Sequence, residues 1–135
     1  MIRVVIDTNV FVSILFGSPI MEKLFESCAK HKFIWVVSEN IYSEYKRVIE
    51  YKKFNFRKEI KEEMLYFVEE LAEFIHVTND VAVSRDRDDD KFINCAIDGN
   101  CDYIISGDKD LLEIKEYNEI SIVTVKEFLQ IIDNI

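Results

Sequence analysis

The segment Val4-Val5-Ile6-Asp7-Thr8-Asn9 decides the fold class, because three β-branched residues run without alternation straight into a carboxylate. Such a run is typical of a strand that is buried on both faces, as in a parallel sheet covered by helices. Further apolar runs alternate with amphipathic segments along the rest of the chain. Strands that alternate with helices along the chain form a parallel sheet joined by right-handed crossovers. We therefore predict the α/β class.

The same pattern predicts four further strands, at residues 33–37, 75–78, 103–105 and 121–123. Two serines that precede apolar periodicity, Ser18 and Ser38, are expected to cap the helices that follow them. Other helices are expected within 55–74 and near 92–98, 111–112 and 125–135. Gly99 is expected to end the helix before it, at a position where a positive φ costs glycine little.

Composition and charge restrict the classes to which the chain can belong. Its 135 residues are 49% hydrophobic, with three glycines and one proline. This composition is typical of a single packed domain over 1–135 and excludes disordered or collagen-like chains.

Three cysteines without a Cys-x-x-Cys pair favour a reducing compartment, and we expect a cytoplasmic protein. The first apolar run ends at Asp7, too early for a membrane span, so no membrane partner is expected. A net charge of −9 disfavours non-specific binding to polyanions.

Acidic side chains follow the predicted strands, where the ligands of open α/β sheets collect. They are Asp7, Glu44, Asp90 and Asp108. Capping of helix N-termini would by itself account for Asp90 or Asp108, whereas a carboxylate directly after a buried strand is costly unless a positive charge meets it. Four converging carboxylates would repel one another unless divalent cations neutralised them. Oxygen ligands without a cysteine or histidine pattern favour Mg²⁺ or Mn²⁺ over Zn²⁺.

Four blocks of sequence, in this order and over one domain length, resemble the PIN-domain ribonucleases. The first two are Ile6-Asp7-Thr8-Asn9-Val10-Phe11-Val12, and Val37-Ser38-Glu39 with Glu44 five positions on. The other two are Asp86-Arg87-Asp88-Asp89-Asp90-Lys91-Phe92 and Asp102-Tyr103-Ile104-Ile105-Ser106-Gly107-Asp108-Lys109-Asp110-Leu111-Leu112. Within that family the chain is most similar to the VapC-type branch, the toxins of toxin–antitoxin systems.

The resemblance implies a three-layer α/β/α PIN-like fold with a central five-stranded parallel sheet. It also implies a metal-dependent endoribonuclease that cleaves single-stranded RNA by two-metal-type phosphodiester hydrolysis, with Mg²⁺ or Mn²⁺ as the cofactor. The partners that it implies are a cognate antitoxin protein and a second copy of the chain in a homodimer.

The same resemblance assigns the site residues. The catalytic and metal-binding carboxylates are Asp7, Glu44, Asp90 and Asp108. Asn9 and Ser106 match polar positions that support them. Within the run 88–90 the ligand can also be Asp89, although the spacing to Ser106 and the apolar residues that follow favour Asp90.

Basic residues are candidates for holding the phosphates of a substrate. Four lie beside the expected site in sequence and can also simply offset neighbouring aspartates: Arg85, Arg87, Lys91 and Lys109. A second group occupies residues 46–61, where seven basic residues outnumber two acidic ones and Tyr51, Phe54 and Phe56 are interleaved. That stretch can hold phosphates and stack unpaired bases, or it can be a solvated connection between helices whose aromatic residues belong to the core.

Two alternative functions remain open on the sequence. The chain can be a catalytically silent PIN-like module that binds other proteins, although no acid of the four blocks is missing. It can also be a PIN nuclease of RNA processing, since the chemistry would look alike in sequence. A phosphotransfer domain is disfavoured, because Asn9 stands where an aspartyl-phosphate phosphatase needs a second aspartate.

Overall fold

A six-stranded sheet runs through the centre of the protein in the computed structural model, which describes all 135 residues. In chain order the strands are β1 (Arg3–Ile6), β2 (Ile34–Ser38), β3 (Glu73–Ile75), β4 (Tyr103–Ile105), β5 (Glu116–Tyr117) and β6 (Ile120–Val123). Across the sheet they follow the order β3-β2-β1-β4-β6-β5, and all neighbours are parallel except β5 and β6. The predicted α/β class is confirmed; the sheet has one strand more than the five expected.

The additional strand, β5, is a two-residue edge strand that forms a hairpin with β6. Asn118 and Glu119 connect the two strands, and both have positive φ angles, 49° and 67°. Positive φ at both connecting residues matches the right-handed twist of strands joined by a tight hairpin. Because β5 contains no apolar run, hydrophobic periodicity could not predict it.

Seven helices connect and cover the strands: α1 (Thr8–Phe16), α2 (Pro19–Ala29), α3 (Glu39–Val48), α4 (Lys58–Leu71), α5 (Asp90–Asp98), α6 (Lys109–Leu112) and α7 (Val125–Asp133). Val4, Val5 and Ile6 of β1 are buried, so both faces of this strand are covered, as the unalternating run predicted. None of the helices combines the length and the apolar character that crossing a bilayer requires.

Side-chain caps begin several of the helices. Ser18 and Ser38 cap α2 and α3, as predicted, and accept hydrogen bonds from the N–H groups of Met21 and Ile41. Helix α1 was not predicted. It begins directly after Asp7, and five of its nine residues are buried, so that it carries no clear polar face by which periodicity could have identified it.

Two local predictions are wrong: the bounds of the third strand and the conformation of Gly99, although the helix before Gly99 does end there as predicted. The amphipathic helix ends at Leu71 and the third strand is Glu73–Ile75, earlier than the expected 75–78. At the end of α5 the positive φ belongs to Asn100, at 50°, while Gly99 has a φ of −85°. A Cβ on Gly99 would lie 2.9 Å from both the Cys95 carbonyl oxygen and Val36 Cγ1. Glycine is required there because α5 approaches β2 closely, not because of a positive φ.

Candidate active site

The carboxyl edge of the central strands borders a cavity of about 320 Å³, which we call the acidic cavity. Its carboxylates come from the ends of β1 and β4, from α3 and from the turn before α5: Asp7, Glu44, Asp86, Asp89 and Asp108. Three of the four predicted carboxylates are therefore brought together, at the sheet edge where ligands collect in open α/β folds. Asn9, predicted as a supporting residue, also lines this cavity.

Asp7 is the most deeply buried carboxylate of the acidic cavity. It caps α1 by accepting a hydrogen bond from the Val10 N–H at 2.8 Å, and the Ser106 hydroxyl donates to its other oxygen. Burial raises the pKa of Asp7 to about 6, although these hydrogen bonds lower it in part. Ser106 also accepts a hydrogen bond from the Asp108 N–H at 2.9 Å. This predicted supporting residue therefore links the carboxylate after β1 to the one after β4.

Asp89, Asp108 and Asp110 form a group in which one oxygen from each carboxylate lies within 4.8 Å of the others. Burial, followed by the hydrogen bond to Asp108 and repulsion from it, raises the pKa of Asp89 to about 7. Asp108 caps the short helix α6 by accepting a hydrogen bond from the Asp110 N–H at 2.9 Å. Three carboxylates this close repel one another when ionised, and oxygen ligands of this kind suit a hard divalent cation. The group can therefore bind such an ion.

Asp90, the residue favoured on spacing, does not line the acidic cavity. One of its oxygens accepts hydrogen bonds from the N–H groups of Val83 and Ser84, at 3.0 and 2.7 Å, and the other lies 3.0 Å from Arg87 Nε. A 3₁₀ turn over Arg87–Asp89 precedes it, and because one residue in such a turn rotates the chain by about 120°, adjacent side chains face different ways. The structure thus places Asp89, the alternative in this run, in the cavity and directs Asp90 to the preceding loop.

Glu44 is half-buried and engaged by three neighbours. The Thr8 hydroxyl donates to one carboxylate oxygen, and Lys91 Nζ lies 2.6 Å from the other. Arg47, three residues further along α3, lies 3.5 Å from the same oxygen as Lys91. Lys91 was predicted to hold substrate phosphate, but here it offsets the charge of Glu44.

The other predicted phosphate-binding residues also lie outside the acidic cavity. Arg85 pairs with Glu113 at 3.2 Å, Arg87 pairs with Asp90, and Lys109 is exposed at the start of α6. The basic residues that do line the cavity are Arg47 and Lys53, from the basic stretch 46–61. The sequence marks them only as members of that stretch; the position of Arg47 three residues after Glu44 on one helix is the one signal that points to it individually.

Comparison with known proteins identifies the family. Residues 3–110 match a family model described as the PIN domain. The chain belongs to the PIN domain family. PIN domains are generally nucleases that use divalent metal ions, in agreement with the carboxylates of the acidic cavity. An uncharacterized protein of Methanocaldococcus jannaschii is similar to this PIN domain, with 32% identity over 145 residues, covering 96% of this chain and 90% of that protein.

Two solved structures share the fold of this PIN domain. One is VapBC2 from Rickettsia felis bound to a DNA fragment from its promoter, with a TM-score of 0.61 and 16% identity over 90% of this chain and 97% of that chain. The other is the PIN domain endonuclease Utp24, with a TM-score of 0.53 and 21% identity over 89% of this chain and 82% of that chain. At these sequence identities the two similarities show a shared fold only. The reaction has to be inferred from the geometry of the site.

Proposed function

We propose that this PIN-domain protein is a Mg²⁺- or Mn²⁺-dependent endoribonuclease that cleaves single-stranded RNA by two-metal-type hydrolysis. The observation that carries the proposal is the convergence of Asp7, Glu44, Asp89 and Asp108 on one cavity. The raised pKa values of Asp7 and Asp89 add support, because perturbed carboxylates in a cavity are typical of functional sites. We assign the ligand from the turn before α5 to Asp89, since Asp90 is engaged by the backbone of its own loop.

The donor set fits a hard divalent cation. Carboxylate oxygens of Asp7, Glu44, Asp89 and Asp108 would hold it, and neither His31 nor His76 lines the acidic cavity. When bound, the cation supplies positive charge that offsets the carboxylates and stabilises negative charge on the phosphate oxygens in the transition state.

Neighbouring side chains of the protein hold these carboxylates in position. The hydroxyl of Ser106 orients Asp7, and the hydroxyl of Thr8 together with the ammonium of Lys91 orients Glu44. Carboxylates that are already held in position before the substrate binds do not have to be ordered during the reaction. This lowers the activation free energy. Asp7, Glu44, Asp89 and Asp108 are thus proposed as ligands, with Asn9 and Ser106 in support.

The test of this function is incubation of single-stranded RNA with Mn²⁺ and either the natural protein or the Asp7→Asn variant. We expect cleavage by the natural protein and nearly complete loss in Asp7→Asn, because one ligand oxygen loses its charge. Asp133→Asn removes one exposed carboxylate on α7 and is the charge-matched control. Equal cleavage by the natural protein and Asp7→Asn would contradict the proposed site.

We further propose that the nuclease acts in the cytoplasm as the toxin of a toxin–antitoxin pair and forms a homodimer. The shared fold with VapBC2 over 90% of this chain supports the toxin role, and the three free cysteines fit a reducing compartment. Co-expression with the product of the adjacent gene tests it. A stable complex that suppresses cleavage is expected, and light scattering of the isolated protein is expected to give twice the mass of the chain. Absence of any complex would contradict the toxin assignment but not the nuclease activity.

A protein-binding module without catalysis is the second candidate, favoured by the contact of Lys91 with Glu44, which already offsets one proposed ligand. Thermal unfolding with and without Mn²⁺ separates the two functions. A bound ion stabilises the folded state by mass action, so the nuclease is expected to unfold at a higher temperature in Mn²⁺. An unchanged midpoint would favour the binding module. If cleavage occurs without any antitoxin complex, the remaining candidate is a nuclease of RNA processing. The fold that this chain shares with the PIN domain endonuclease Utp24 is compatible with that function.

A further inference from the structure

A group of four aromatic side chains lies where the end of α1 meets the connection between α3 and α4. Phe16 contacts Phe56 and Phe54, with ring centroids 4.7 and 5.7 Å apart, and the rings of Tyr51 and Phe54 are nearly parallel, at 14° and 6.2 Å. We call Phe16, Tyr51, Phe54 and Phe56 the aromatic platform. Phe54 and Phe56 pack against the core, whereas Phe16 and Tyr51 are 60% and 43% exposed. Two of the four rings are therefore available to a ligand.

The aromatic platform adjoins the acidic cavity. Tyr51 and Phe54 are part of the lining that also contains Asp7, Asp89 and Asp108. Lys53 lies between them in sequence, lines the same cavity and places its Nζ 5.2 Å from the centre of the Phe54 ring. Lys53 makes no ion pair with any carboxylate, whereas Arg47, the other basic residue of this lining, pairs with Glu44. The charge of Lys53 is therefore free beside the carboxylates of the cavity.

We propose, on the basis of the endoribonuclease function above, that Tyr51 stacks on an unpaired base beside the cleaved bond while Lys53 contacts a neighbouring phosphate. Stacking on an aromatic side chain is the common means of holding single-stranded RNA, since every base offers a π-face. A base in a duplex has both faces covered by its neighbours. The aromatic platform therefore selects unpaired RNA for the acidic cavity.

Charge favours RNA as the occupant of this surface. The stretch 46–61 that carries Tyr51, Phe54 and Phe56 has seven basic residues and two acidic ones, although the whole chain has a net charge of −9. Four of the seven basic residues pair with carboxylates and three do not. A polyanion is therefore attracted to the unpaired charges of this surface and repelled by the net negative charge of the rest of the chain. The mutual contacts of the four rings also order the platform before binding, which reduces the entropy cost of holding a flexible strand.

The test compares the kinetics of cleavage of a single-stranded RNA by Tyr51→Ala, Tyr51→Phe and Lys53→Ala. We expect KM to rise about ten-fold in Tyr51→Ala with little change in kcat, because the lost stacking holds the strand rather than the reacting atoms. Tyr51→Phe keeps the ring and is expected to behave like the natural protein. Tyr66→Ala and Lys30→Ala are the matched controls, since these residues are exposed and do not line the acidic cavity.

A second substrate, in which the nucleotide beside the cleaved bond lacks its base, isolates the stacking contact. The natural protein is expected to bind this RNA about ten-fold more weakly than intact RNA, and Tyr51→Ala is expected to show no further loss, because ring and base contribute to one contact. Equal losses in both proteins would overturn the proposal, as would a natural protein that cleaves duplex RNA as readily as single strands.

Two other outcomes separate this proposal from the function on which it rests. A natural protein that cleaves no RNA overturns the endoribonuclease function and this inference together. A natural protein that cleaves RNA with the same KM as Tyr51→Ala overturns only this inference. If Phe16→Ala also converts a dimer to a monomer in light scattering while KM is unchanged, the aromatic platform is an interface between copies of the chain.

Discussion

The carboxylate of Asp7 is buried, and its ionised form therefore lowers the stability of the folded protein. Its pKa is about 6 in the folded protein, above the value of about 4 that an aspartate has in an unfolded chain. The folded state therefore binds the proton more tightly, and the contribution of Asp7 to the unfolding free energy falls as the pH rises from about 4 to about 6. Above that range the cost of the buried charge is constant.

Replacing Asp7 with asparagine is expected to stabilise the metal-free protein. In EDTA at pH 7.5, Asp7→Asn should have an unfolding free energy higher by up to about 3 kcal/mol, since the two-unit difference in pKa corresponds to roughly that energy. The gain should vanish near pH 4, and the helix cap is kept because asparagine caps as well as aspartate. Urea unfolding at several pH values measures it; a less stable variant at pH 7.5 would contradict the burial effect.

Asp89 and Asp90 are adjacent, yet we expect their asparagine variants to differ. Asp89→Asn should lose RNA cleavage and stabilisation by Mn²⁺, because Asp89 lines the acidic cavity. Asp90→Asn should keep cleavage but lose roughly 1–2 kcal/mol of stability, since it loses the charge-assisted bonds to the 83–84 backbone and the contact with Arg87. Cleavage assays and unfolding curves of both variants are the measurement. Loss of cleavage in Asp90→Asn, with cleavage kept in Asp89→Asn, would show that Asp90 is the ligand.

At the scale of elements, the packing of α5 against β2 depends on the absence of a side chain at Gly99. Gly99→Ala should lower the unfolding free energy by about 1–3 kcal/mol, because its Cβ would approach Val36 and the Cys95 carbonyl to 2.9 Å and force the helix outward. Gly107→Ala is the control, with no atom within 4 Å of the added Cβ, and should change stability by less than about 0.5 kcal/mol. Equal losses in the two variants in urea unfolding would contradict the close approach.

Elements with strong local signals were predicted from sequence, and those without them were not. The buried run of β1 and the serine caps of α2 and α3 are visible in a few adjacent residues. Helix α1 was missed because much of it is buried, and β5 because a two-residue strand has no period. The role expected of Gly99 was wrong because the approach of Val36, 63 positions away, leaves no trace in the local pattern.

For the molecule as a whole, the charge distribution predicts a weak dependence of RNA binding on salt. Arg47 and Lys53 are the basic residues that line the acidic cavity. With about two phosphate contacts, the logarithm of the affinity for single-stranded RNA should fall against the logarithm of salt concentration with a slope of about −1.4. Fluorescence anisotropy of labelled RNA with the Asp7→Asn protein measures this slope. A slope steeper than about −4 would require a long basic track and would contradict local binding at one cavity.

The sequence by itself determined the α/β class, the membership of the PIN family and three of the carboxylates that meet in the acidic cavity. These depend on patterns that are read along the chain, namely a buried strand followed by an acid and four such blocks in a fixed order. Only the tertiary structure decided that Asp89 rather than Asp90 lines the cavity, that Lys91 pairs with Glu44, and that Lys53 lies beside the carboxylates. Those contacts depend on the rotation of a single turn and on how separate helices pack together, and no stretch of neighbouring residues encodes either.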